Sequence, residues 1–292
     1  MRNTWGLIRN NICKALLYIA MIKYYSILHA RQQAIFNSIA FILVLVVNYM
    51  ANTLKLNGKT TGEISAMYPN MFVPAPITFS IWGLIYLWLL VYIIYQLWLA
   101  FSKGHTEELQ SHMLRMRAWF LITCLGNIAW LFSWHFQLIE VSVIMMCLIL
   151  YALLKIHRNF RIALPVESKR ETWWVQVPFS LYLGWISIAL LANITALLVS
   201  IGFQSSGTVA ATWAIAMVLV GTLAGVFMVI YRHNVVHALV GIWAIYGISI
   251  QQFGEKSPGS FAVFATCIIS ITVLFLSVLV HFLARKPRNF KI

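Results

Sequence analysis

Indole, phenol and carboxamide side chains recur one helical turn apart inside apolar stretches of this chain. Asn48 and Asn52 stand four residues apart, which places them on one face of a helix. Asn127, Trp130 and Trp134 make a second stripe, Tyr182, Trp185 and Asn193 a third, and Trp82 and Tyr86 a fourth. Polar groups of this kind are costly in hydrocarbon unless they turn inward and find partners. Two uses compete. The stripes glue helices together through interhelical hydrogen bonds, or they wall a concave apolar site with a few placed polar groups, as a small-molecule pocket requires. The pocket is favoured because the aromatic residues come from several different stretches, on one side, beneath a proline-rich connection.

Other chemistry is poorly provided for. The chain has no Asp and only seven acidic residues, all Glu, which excludes intramembrane aspartyl catalysis and disfavours hydrated metal sites. Cys13, Cys124, Cys147 and Cys267 are scattered and show neither metal-ligand spacing nor a disulfide framework. His233 and His237 have the i, i+4 spacing of a helical metal pair, but no Cys or acid lies near them in sequence, and headgroup contact at a turn is the simpler reading. Leu148, Tyr151 and Lys155, and Leu16, Tyr18 and Lys23, fit the loose cholesterol pattern. No catalytic residue, metal ligand or cofactor is assigned.

The elements that must position these residues are apolar runs. The chain is 61% hydrophobic, far above a soluble domain. Eight runs, 34–54, 78–101, 116–136, 140–157, 176–201, 209–231, 235–252 and 260–284, are each long enough to cross a bilayer as a helix. The expected fold is an all-α, polytopic membrane bundle in the cell membrane. Of 21 Lys and Arg, 18 fall in the ends and loops of one side and three, Lys55, Lys59 and Lys256, on the other. The positive-inside rule then puts both termini in the cytoplasm. The net charge of +14 is topological, so membrane lipids and not nucleic acid are the expected partners. Residues 1–33 contain no full span and read as a cytoplasmic or interfacial amphipathic extension; no small-residue cleavage site marks them for removal. The connection 55–77 is long for its place and carries Pro69, Pro74 and Pro76, which suggests a lid over the helix ends. Gly221 and Gly225 permit close helix approach, within the chain by preference, or in a homodimer.

The segment from Pro74 through Phe79 and Trp82 to Tyr86 resembles the Pro-rich loop and second-helix start of the TspO/MBR family, the tryptophan-rich sensory proteins related to the translocator protein. Asn127, Trp130 and Trp134 are similar to that family's third-helix motif, and Tyr182, Trp185, Ala189 and Asn193 to its fifth-helix signature. The resemblance spans roughly residues 35–201. Phe79 lies one residue closer to its Trp than in the family, Pro178 stands about a turn early, and three further spans follow, so the expected divisions are 1–33, 34–201 and 202–292. The resemblance implies a five-helix bundle with an apolar pocket beneath the first loop, binding planar hydrophobic ligands such as porphyrins or sterols. Its ligand-contacting residues would be Pro74, Phe79, Trp82, Tyr86, Asn127, Trp130, Trp134, Tyr182, Trp185 and Asn193. Porphyrin breakdown has been proposed for some members, with Trp at the positions of Trp82 and Trp185. A small secondary transporter is the alternative, and an eight-span lipid enzyme a more distant one.

Overall fold

The computed structural model describes residues 2–164, 169–203, 206–255 and 257–284, with side chains from residue 26 onward. The amphipathic reading of the N-terminal extension, Lys256 and the basic tail from Arg285 therefore lie outside the described side chains. Among the described residues all regular structure is helical. α1 (Arg2–Asn52) is followed by a loop containing the short α2 (Thr61–Ala66), and then by α3 (Ile81–Phe101), α4 (Thr106–Met116), α5 (Trp119–His135) and α6 (Ile139–Asn159). A turn of helix α7 (Lys169–Glu171) leads through a π-helical segment into α8 (Val177–Ser200). α9 (Gly207–Arg232), α10 (Val235–Phe253) and α11 (Ser260–Ala284) complete the chain.

Among the described residues seven helices are long and apolar enough to span a bilayer, and the pair α4–α5, bent by 50°, is an eighth when counted as one broken span. The break falls at Arg117, whose φ of 50° is unfavourable for a residue with a Cβ. It is held from several sides. Gln33 Nε2 donates to the Arg117 carbonyl, Asn159 Nδ2 donates to the Arg115 carbonyl at 2.8 Å, and Arg115 pairs with Glu171 at 2.7 Å. α4 buries Leu109, His112, Met113 and Met116, a helical stripe that turns one face into the protein.

Five helices close a ring in the order α1, α3, α8, α6, α5, each packed on the next. α9, α10 and α11 form a triangle that joins the ring chiefly where α10 lies on α8. Outward-facing Leu87, Ile94, Leu223 and Phe275 are more than half exposed, as apolar surface in contact with lipid should be. A Cβ at Gly221 would come within 2.6 Å of Ile188 on α8, and one at Gly225 equally close to Leu274 on α11. Both glycines thus serve helix approach inside the chain.

Candidate functional site

A pocket of about 640 Å³, counting its open mouth, lies inside the ring at the end covered by the α1–α3 loop. The turn before α3 supplies Phe79, the start of α3 Trp82, and the end of α5 Trp130 and Trp134. α8 supplies Trp185, Ile188, Ala189, Ala192 and Asn193. The loop closes the top with Asn70, Phe72, Val73 and Pro74. Seven of the ten sequence-identified residues therefore share one cavity. Tyr86, Asn127 and Tyr182 stand behind its wall.

The wall is built around Trp82. Its ring stacks on Tyr86 at 5.5 Å and on Trp130 at 5.6 Å, and meets Tyr182 and Trp185 edge-on, each at 6.1 Å. Trp130 stacks in turn on Trp134 at 6.3 Å, and Trp134 meets Tyr68 of the loop at 6.1 Å. These separations lie in the range where aromatic pairs attract, so the pocket's walls are preformed. Two buried indole donors in this wall are unspent. The indole N–H groups of Trp130 and Trp185 are buried without a hydrogen-bond partner among the described residues. A buried donor in that state is costly until something accepts its proton.

The amides hold helices together behind the aromatic face. Asn48 Nδ2 donates to Asn127 Oδ1 at 3.1 Å, joining α1 to α5. Asn193 Oδ1 lies 2.8 Å from Ser142 Oγ, joining α8 to α6. Asn127 and Asn193 are buried and Asn48 is half-buried. Asn52, expected to face the interior with them, is exposed: it sits one turn further on, at the end of α1, where its Oδ1 accepts from Thr61 N at 3.4 Å. His237 also departs from expectation. It is buried, not at a headgroup surface, because α10 turns it onto α8, where its Nε2 lies 3.4 Å from Ser187 Oγ.

The loop is a fastened lid. At its start, His135 Nδ1–H donates to the Leu56 carbonyl at 2.9 Å, which leaves Nε2 to accept from Thr61 Oγ1 at 3.2 Å. Trp134 Nε1 donates to the Thr61 carbonyl at 3.1 Å. α2 carries a capping box in which Thr60 Oγ1 accepts from Glu63 N and Glu63 Oε2 accepts from Thr60 N. That backbone bond, with Lys55 3.0 Å away, lowers the Glu63 pKa below the ordinary carboxylate value. Tyr68, by contrast, is shifted up by burial and by Glu140.

At its far end the lid is tied to α10, a helix outside the ring. Ala75 N donates to the Gly247 carbonyl at 2.9 Å. Trp243 Nε1 donates to the Thr78 carbonyl and Gln252 Nε2 to the Met71 carbonyl, both at 3.1 Å. Gly247 is required there, since a Cβ would collide with Thr78 Oγ1 and come within 2.9 Å of its Cβ. α10 also supplies Ala244 and Ile248 to the pocket wall. The sequence motifs missed these residues. Small and aliphatic side chains in an apolar run have no distinguishing spacing, and a helix 165 positions from Thr78 gives no local sign of contact.

No curated protein and no solved structure matches the chain. A family profile described as TSPO-like protein matches residues 34–280. The match runs from the first span of the ring almost to the end of α11, and so takes in α9 and α10 as well as the five-helix ring. The chain is a multi-pass helical membrane protein that belongs to the TSPO-like protein family.

Proposed function

We propose that the chain binds a flat, hydrophobic small molecule of porphyrin-like or sterol-like shape in the aromatic pocket. The observation that carries this reading is the pair of buried, unpartnered indole N–H groups, Trp130 and Trp185, at a cavity walled mostly by rings and aliphatic carbon, with Thr61, Ser65, Asn70 and Asn193 its other polar lining residues. Flat rings favour a flat ligand through stacking and area burial. Donor-only indoles favour a ligand with an acceptor, such as a carbonyl or carboxylate, at its edge.

Protoporphyrin IX titrated into the purified full-length protein, followed by Trp quenching, tests the reading. Trp185→Ala should weaken binding about tenfold, the loss of one stacked aromatic and one hydrogen bond. Trp185→Phe should give a smaller loss, since it keeps a ring and removes only the donor. Trp213→Ala should leave affinity unchanged, because Trp213 donates to Thr195 Oγ1 at 3.1 Å and packs on Phe203, and is not among the residues bounding the pocket. Absence of wild-type binding, or equal affinity in the Trp185→Ala and Trp213→Ala variants, returns the rings to a purely structural role.

A further inference from the structure

We propose that the seam between α5 and α6, on the outer surface of the ring, seats one anionic phospholipid. The site is separate from the aromatic pocket and does not rest on it. α6 carries Ile144, Leu148, Tyr151, Lys155 and Arg158 at steps of three and four residues, which puts them on one face. Ile144, Leu148, Tyr151 and Arg158 are exposed and Lys155 is half-buried. The face therefore looks out of the bundle, apolar along the middle of the helix and cationic at its end. Lys155 lies one turn before the end of the span Ile139–Asn159, at the depth where a long side chain reaches the headgroups. Two rings hold its ammonium there. Lys155 Nζ stands 5.0 Å from the centre of the Tyr151 ring and 6.0 Å from that of Trp119 on α5, within reach of cation–π attraction. The rings meet edge-on at 5.7 Å across the seam. Deeper in, the helices close on each other, since a Cβ at Gly126 would come within 2.8 Å of Ile149. An acyl chain then lies along the Leu148 and Ile144 surface and not between the helices.

What the two cations lack is an anion. α5 and α6 contain one acidic residue, Glu140, at the opposite end of α6. Among the described residues no carboxylate pairs with Lys155 or Arg158, whereas nearby Arg115 is paired with Glu171 at 2.7 Å. Ring faces orient an ammonium but do not neutralise it. A phosphodiester can accept from both cations, and Arg158 offers it a fork of donors. With two cations and no acid, a headgroup of net negative charge is favoured over a zwitterionic one, by about fivefold for each cation at the membrane surface. A sterol hydroxyl would leave both charges unmatched.

Dioleoylphosphatidylglycerol and dioleoylphosphatidylcholine, titrated into the full-length protein in detergent and counted as adducts by native mass spectrometry, test the site. The first phosphatidylglycerol should bind about twentyfold more tightly than the first phosphatidylcholine, the combined effect of two cations. Lys155→Gln should cut that preference about fivefold, and the double variant Lys155→Gln/Arg158→Gln should abolish it. Tyr151→Leu should weaken phosphatidylglycerol binding by about twofold to fivefold, the scale of an exposed cation–π contact. Lys103→Gln, an equal change of charge at an exposed position just after α3, should leave the preference unchanged. Equal binding of the two lipids, a preference that survives the double variant, or an equal loss in Lys103→Gln overturns the site. So does an unchanged phosphatidylglycerol affinity in Tyr151→Leu, or displacement of the bound phosphatidylglycerol by cholesterol, which would give the face to a sterol.

Discussion

Trp82 touches four other rings at 5.5 to 6.1 Å, and its loss should be felt in stability as well as in binding. Trp82→Ala is expected to destabilise the protein by about 3 kcal/mol, the low end for a large aromatic because its ring is only half-buried. Thermal unfolding in detergent checks this, with Trp185→Ala giving a smaller shift because fewer rings lean on it. Glu63 acts at the same scale on the lid. Its carboxylate has a lowered pKa in the folded state, so its contribution is present above the ordinary Glu value, about pH 4, and is lost as pH falls through the lowered one. Hydrogen-exchange protection of 60–66 should therefore drop on acidification, and Glu63→Gln should show the reduced protection already at neutral pH. The aromatic and amide residues of the pocket were legible in the sequence because their types are expensive in a membrane and their spacing is helical. Thr61 and His135 were not, since polar groups at a loop and a helix end carry no period.

At the level of elements, eight apolar runs located the C-terminal ends of the candidate spans to within a few residues, because hydrocarbon thickness sets helix length, while the first, third and fifth begin earlier than the runs, at Ser26, Thr106 and Lys169. The break in the third one escaped notice. Residues 106–116 are polar enough to read as a connection, and only the tertiary contacts of Arg115 and Arg117 force the bend. The loop 55–77 was recognisable as a lid from its prolines and apolar side chains, and Ile64 and Phe72 are each 1% exposed. What it is tied to was not legible, because hydrogen bonds to α10 run through backbone carbonyls that every residue has. Gly247→Ala should push the 75–78 turn away from α10, costing about 1–3 kcal/mol as an overpacked contact. The expected signature is a lower unfolding temperature together with faster hydrogen exchange in 71–78, while exchange along α1 and α5 stays at the wild-type rate.

Over the whole molecule, a closed ring of five helices carries a triangle of three, and the site uses both. The charge bias of 18 to 3 leads us to expect the lid on the outer face and both termini in the cytoplasm. A single cysteine at Lys59, in a background lacking the native four, should react with an impermeant maleimide added outside intact cells; reaction only after permeabilisation would invert the orientation. The tie between lid and α10 also orders the protein's birth. Thr78 leaves the ribosome 165 residues ahead of Trp243, and Met71 leaves 181 ahead of Gln252. Chains grow at about 5–20 residues per second, so the ring's helices are inserted for many seconds while the turn that will roof them has nothing to hold. Until α10 arrives, the indoles face an unroofed cleft, and a nascent chain arrested after α8 would expose the very surface that the finished protein encloses.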